Sequence, residues 1–228
     1  TKTISIPATI SYDGVTYKVT KIADNAFKGN KKLTTVTMGS NVTSIGKNAF
    51  SGCTALTKVT IGKNVTTIGD KAFYKCKKLK SITMSAKARV IGSSAFSGCT
   101  SLTKATIGKN VTSIGDKAFY KCTKLASITI PDKVKKIGNS TFYGCTSLKK
   151  ATIGKCVTSI GKNAFYGCKK LKTITIKSSK LKTIGKNAFK SINKKATITL
   201  KGTKKANKAL KKKLKKASVG YVKTWKMK

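Results

Sequence analysis

The 228-residue chain is 39% apolar, carries seven Cys, and sets 50 basic residues against five acidic ones for a formal net charge of +45. It has no His and no Glu, and its carboxylates are limited to Asp13, Asp24, Asp70, Asp116 and Asp132, so most of the usual toolkit of acid–base catalysis and zinc ligation is missing. No run approaches 18 consecutive apolar residues, which leaves no membrane-spanning segment, and Arg89 is the only basic residue that is not Lys, which argues against bidentate, sequence-specific reading of nucleic acid.

The chain begins at Thr1 with neither an initiator Met nor an apolar leader, which points to a processed form. Alternation at Thr3-Ile4-Ser5-Ile6 predicts a strand. Asp13-Gly14 between Ile10-Ser11-Tyr12 and Val15-Thr16-Tyr17-Lys18-Val19 is a strong hairpin signal. Residues 1–20 are therefore read as a strand and hairpin that cap the open amino-terminal end of a repeat region.

From Lys21 to about Leu200 a motif returns every 23 residues: Ile-Gly-x-x-Ala-Phe-x-x-Cys, complete at Ile45–Cys53 and repeated at Ile68, Ile91, Ile114, Ile137 (with Thr141 in the Ala place) and Ile160. Degenerate copies start at Ile22 and Ile184, and the last step is 24 residues, placing one inserted residue near Lys177 to Lys180. A short unit with a fixed period cannot bury its own apolar face and must stack on its copies, which predicts a solenoid. In each unit a Leu column (Leu33, Leu56, Leu79 and onward) precedes a period-two run such as Val59-Thr60-Ile61, which predicts one half-buried strand per coil in a parallel sheet. A shorter strand is expected at Val65 to Ile68 and its copies. The Gly after Ile is expected at a corner needing positive φ or close approach, with Ala-Phe opening a single helical or 3₁₀ turn.

Past Leu200, Ala206, Leu210, Leu214 and Ala217 fall at helical spacing among Lys, and Val219 to Trp225 reads as a closing strand. Residues 201–228 are read as a Lys-rich cap of helix plus strand. A basic amphipathic helix lying on an anionic membrane or polymer is the alternative.

The run Leu56-Thr57-Lys58-Val59-Thr60-Ile61-Gly62-Lys63-Asn64-Val65-Thr66-Thr67-Ile68-Gly69-Asp70-Lys71-Ala72-Phe73-Tyr74-Lys75-Cys76 closely resembles the repeat of the BspA-like bacterial leucine-rich repeat proteins, and Ile130 to Gly138 resembles it further. The resemblance implies an α/β leucine-rich repeat solenoid of about eight coils: a parallel sheet on the concave face, short second strands, and single helical turns on the convex side. It also implies a secreted or cell-surface protein, with family members that act as adhesins toward matrix proteins or other cells. Gly62-Lys63 and Gly154-Lys155 stand where family repeats often have Pro and an acid, and the motif itself names no binding residue.

Stacking would align Cys53, Cys76, Cys99, Cys122, Cys145 and Cys168 in a column. Parallel inward side chains do not give the torsion a disulfide needs, so packed thiols are expected, and no His or Cys-x-x-Cys spacing supports a metal. Cys156, in the place of Asn64 and Asn110, is the expected exposed thiol. Asp70 and Asp116, two coils apart, are too distant to act as a pair and are expected to balance local Lys. Tyr74, Tyr120, Tyr143 and Tyr166 are expected to pack half-buried after the motif Phe.

The candidate ligand-binding residues are the outward positions of the main sheet: Lys58, Thr60, Ser81, Thr83, Lys104, Thr106, Ser127, Thr129, Lys150 and Thr152. Lys recurs there every second coil, about 10 Å apart, a rigid row suited to an acidic protein or a repeating anionic polymer, although Thr and Lys are also ordinary exposed strand residues. The expected function is a non-catalytic binding module, without cofactor, that adheres to a protein or anionic glycan on a host or bacterial surface as a monomer. The alternative is a structural spacer or stalk docking on anionic cell-wall polymer.

Overall fold

In the computed structural model, which describes residues 2–228, each repeat forms one coil, and the coils stack on three walls. The first wall is built of long strands. It begins with β1 (Thr3–Ile6) and continues through Thr35–Met38, Lys58–Thr60, Ser81–Thr83, Lys104–Thr106, Ser127–Ile130, Lys150–Ile153, Thr173–Ile176 and Thr197–Leu200. The second is one eight-stranded parallel sheet of two-residue strands, from Lys21–Ile22 to Thr183–Ile184, with Ile22 paired to Ile45 and each later Ile to its copy. Alternation explains the long strands: in Ser127–Ile130 the side chains of Ile128 and Ile130 are buried while Ser127 and Thr129 face out.

The third wall carries the Ala-Phe segments. The single helical turn expected there takes the form of consecutive i→i+3 turns, Ala49 N–H donating to Gly46 O, Ser51 to Asn48 and Cys53 to Phe50. Alternate N–H groups point to the next coil instead, Asn48 to Asp70 O, Phe50 to Ala72 O and Gly52 to Tyr74 O. The turns are thus tied across coils like a sheet. Positive φ falls at Asn48 and Gly52 rather than at Gly46, whose role is the other one expected of it: a Cβ there would lie 2.7 Å from Ile22 O in the coil below.

The core is a set of columns. Seven consecutive ring pairs from Phe27 to Phe189 stack with centroids 5.1–5.5 Å apart and planes within 16°. The Leu column and the Cys column lie beside them, fully buried. Each column thiol donates to the carbonyl of a Phe in the coil below, as Cys76 Sγ does to Phe50 O and Cys99 Sγ to Phe73 O at 3.1–3.2 Å. All seven cysteines are free thiols, and Cys156 alone is exposed.

The two ends differ. At the amino-terminal end, β2 (Thr9–Tyr12) and β3 (Val15–Lys18) form an antiparallel hairpin about Asp13-Gly14, both at positive φ as a type I′ turn requires. The cover over the first coil expected of this hairpin is not seen in its burial. It enters at the corner between the first long and first short strands, where Val19 N–H meets Ala8 O, and all eight of its strand residues stay exposed, Tyr12 at 75%. Ile4, Ile6 and Phe27 remain half-buried. At the other end α1 (Lys204–Leu214), capped by Thr203 Oγ1 accepting from Ala206 N–H, buries Leu210 and Leu214 in the core. Its apolar face is thereby occupied by the solenoid and is not free for a membrane. Ala217 lies beyond the helix in a 3₁₀ turn and is exposed, Lys226–Met227 pairs with Thr197–Leu200, and Trp225 meets the last ring of the Phe stack edge-on.

The long-strand wall is interrupted once. β1, Thr35–Met38 and Lys58–Thr60 form one sheet and the strands from Ser81–Thr83 onward another, with no ladder pairing between Lys58–Thr60 and Ser81–Thr83. The cause lies at the corner that follows each strand. There Gly62 and Gly108 run so close to the preceding coil that a Cβ would fall 2.7 Å from Gly39 O and 2.5 Å from Ser85 O. Ser85 occupies the same corner with a Cβ, and its buried hydroxyl donates to Val65 O. Pro131 is a second corner without Gly, and there the pairing shrinks to the single register Lys104↔Ser127. In the coil of Ser178, whose hydroxyl donates in the same way to Val157 O, the inserted Lys177 gives the chain room, Lys177 N–H reaches Ile153 O, and four register pairs survive.

Candidate functional site

The outward side chains of the long strands form two columns. Of the ten candidates, Lys58, Thr60, Ser81, Thr83, Lys104, Thr106, Ser127, Thr129 and Lys150 are exposed and Thr152 is half-buried. Ladder register brings most of them side by side: Ser81 with Lys104, Thr83 with Thr106, Lys104 with Ser127, Ser127 with Lys150, and Thr129 with Thr152. Lys58 and Thr60 belong to the sheet below the interruption, so they are not paired to Ser81 and Thr83. A groove of about 500 Å³ opens between them, lined also by Lys63, Met84, Ser85 and Ala86.

The electrostatics of this face are simple. Among the described residues the only ion pair is Lys21–Asp24, at 3.8 Å. Asp70 and Asp116, expected to balance neighbouring Lys, form no ion pair among the described residues; like Asp24 and Asp132, each accepts from the backbone through Oδ1. Asp24 Oδ1 accepts from Lys47 N–H at 3.0 Å, Asp70 Oδ1 from Ser93 N–H at 2.6 Å, Asp116 Oδ1 from Asn139 N–H at 2.8 Å and Asp132 Oδ1 from Lys155 N–H at 3.0 Å. Each Asp is therefore a stitch between consecutive coils. The 46-residue spacing of Asp24, Asp70 and Asp116, twice the period, was visible in the sequence, but what they bond to depends on the coil above.

The column thiols are poor nucleophiles. Burial pushes Cys53 up to about 11 and Cys99 and Cys145 up to about 12, and holds Cys76, Cys122 and Cys168 well above their ordinary value. Among the described residues no group of three or more His, Cys, Asp or Glu could hold a metal ion. On the turn wall, Tyr120, Tyr143 and Tyr166 stack at 4.9–5.0 Å, half-buried, with Lys121 over the Tyr120 ring and Lys75 over Tyr74.

Parallel strands in register, a Leu column and short turns repeating every 23 residues define a leucine-rich repeat solenoid. The model of the BspA type leucine rich repeat region matches residues 8–126 and 112–215, with six copies, and the chain belongs to this family. Among solved structures, it is similar to a leucine-rich cell surface protein from Faecalibacterium prausnitzii: 34% identity over 89% of this chain and 48% of that one, TM-score 0.64. The chain thus spans about half the length of that relative. A leucine-rich repeat protein from Eubacterium ventriosum aligns at 25% identity over 87% of this chain and 60% of that one, TM-score 0.53. One from T. pallidum shares the fold at 23% identity over 99% and 86%, TM-score 0.61. No curated protein sequence matches the chain.

Proposed function

We propose that the chain is a non-catalytic binding module of a secreted or cell-surface bacterial protein, and that it holds an acidic protein or glycan against the outer face of its long strands. The observation that carries this reading is the register: exposed ammonium and hydroxyl groups sit in two columns along the long-strand wall, continuous from Ser81 onward, without carboxylates to neutralise them. A row of fixed cations spaced every second coil, about 10 Å, meets the repeating charges of an acidic partner without reordering the backbone. The cell-surface description of the Faecalibacterium prausnitzii relative supports the location, and among the described residues no helix is long and apolar enough to cross a membrane. Four of the five Asp carboxylates are engaged by backbone N–H groups, which weighs against a catalytic use of them. Residues 21–200 supply the binding solenoid, 201–228 close its far end, and the module acts as a monomer.

A second reading is favoured by the spread of the +45 charge over the whole chain: a spacer that rests on anionic cell-wall polymer through its general Lys surface. A binding panel of matrix proteins and anionic glycans at two salt concentrations separates the two. Adhesion through the strand face predicts a preferred partner that survives moderate salt and is lost in Lys58→Ala/Lys104→Ala/Lys150→Ala. Equal binding to every polyanion, vanishing steeply with salt, would leave only the general field.

A further inference from the structure

Three departures from the repeat meet at one place. Cys156 replaces the Asn whose side chain, in Asn64 and Asn110, donates to a carbonyl of the coil below; Lys177 is the inserted residue of its coil; and at Lys201 the chain leaves the solenoid for α1. The result is a cleft of about 750 Å³ at the corner of the long-strand wall, with Lys155, Lys177, Lys180 and Lys201 around it, Cys156 in its wall and Thr203, the N-cap of α1, at its rim. Lys177 and Lys201 come directly after the paired residues Ile176↔Leu200, and their N–H groups bond to Ile153 O and Ile176 O, so they stand on successive coils about 5 Å apart. Asp132 spends its Oδ1 on Lys155 N–H, and among the described residues none of the four ammonium groups is in an ion pair.

We infer that this cleft is an anion site for a ligand carrying two or more phosphate groups. Lys155, Lys177, Lys180 and Lys201 line one concavity, and a multiply charged anion seated there offsets the mutual repulsion of all four side chains at once. Lys suits phosphate as a point charge, where planar carboxylate recognition leans on the Arg fork that this chain lacks, and the amino-terminal end of the eleven-residue α1 adds a positive dipole at the rim. Thr175, the outward strand residue paired with Thr152, also lines the cleft, but none of the ten candidate strand-face residues does, so the site stands or falls independently of the adhesion reading.

Cys156 makes it measurable, because it is the only exposed thiol and lies in the cleft wall. The rate at which neutral N-ethylmaleimide labels Cys156 is measured with increasing tripolyphosphate at constant ionic strength. The site predicts a saturating slowing of about tenfold once the anion exceeds its dissociation constant by that factor. Protection is expected to disappear in Lys177→Gln/Lys201→Gln, with Lys155→Gln/Lys180→Gln as a second variant should the first not fold, and to persist in Lys58→Gln/Lys104→Gln/Lys150→Gln. A parallel arm with a glycerol phosphate oligomer separates phosphodiester chains from free polyphosphate. Slowing reproduced by sodium chloride, retained without loss in the cleft variants, or lost equally in the strand variant overturns the assignment.

Discussion

At position 85 a single Cβ decides how two coils meet. Wherever the corner is Gly the neighbouring backbone sits within 3 Å of the missing Cβ, and the ladder is continuous; Ser85 and Pro131 break or thin it. Gly62→Ala should therefore cost about 1–3 kcal/mol in urea unfolding, because the methyl group has only the Gly39 carbonyl to displace. An unchanged midpoint would show that the coils part freely. The buried thiols set the second expectation at this scale. In Cys99 and Cys145 burial raises the pKa from an ordinary 9.0 to about 12, so below pH 9 folded and unfolded chains both keep the proton and the stabilisation is complete. Between pH 9 and 12 the unfolded chain releases protons that the folded one retains, and stability falls with rising pH by up to about 1.4 kcal/mol per unit per thiol. Urea midpoints from pH 8 to 11 should decline more shallowly in Cys99→Ala/Cys145→Ala than in the wild type; parallel slopes would remove the thiols from the account. Columns such as Cys53–Cys168 could be read by counting in steps of 23. The effect of Ser85 could not, because it depends on the distance to a backbone 23 residues earlier, which no local pattern encodes.

Among elements, the strands were the easiest to read and the turns the hardest. Period-two alternation in Thr173-Ile174-Thr175-Ile176 has one structural solution, whereas Gly-x-x-Ala-Phe is compatible with a 3₁₀ turn or with the chain of i→i+3 turns observed, whose alternate N–H groups need a partner coil. The hairpin was legible from Asp13-Gly14, but its placement was not: nothing local fixes whether it lies across the coil or stands away from it. For α1 the apolar spacing located the buried face, and Leu214 is wholly enclosed. Leu214→Ala is expected to cost about 2–5 kcal/mol and to speed amide hydrogen exchange in Thr197–Leu200, on which the last strand pairs, while leaving Thr35–Met38 protected. Exchange rising evenly along the solenoid would instead mean that the helix end controls the cooperativity of the whole stack.

For the whole molecule the question is whether the proposed binding would rest on a field or on a row. A net charge of +45 attracts every polyanion, and the strand columns would then matter no more than any other lysines. The sequence supplied the row, since Lys58, Lys104 and Lys150 recur at twice the period, and the structure placed all three outward on the long-strand wall while dividing Lys58 from the rest by the interrupted ladder. It also supplies a matched control: Lys78, Lys124 and Lys170 are exposed, carry the same charge and recur at the same spacing, but lie between the Cys and Leu columns, off the strand face. The most direct measurement compares the affinity of the preferred acidic partner for the wild type, Lys58→Ala/Lys104→Ala/Lys150→Ala and Lys78→Ala/Lys124→Ala/Lys170→Ala at one moderate salt concentration. At about 0.5–1 kcal/mol per contacting lysine, the strand-face variant should bind some tenfold or more weakly, with the control near wild type. Equal losses in the two variants would contradict a binding face and leave the charge of the whole chain as the only determinant.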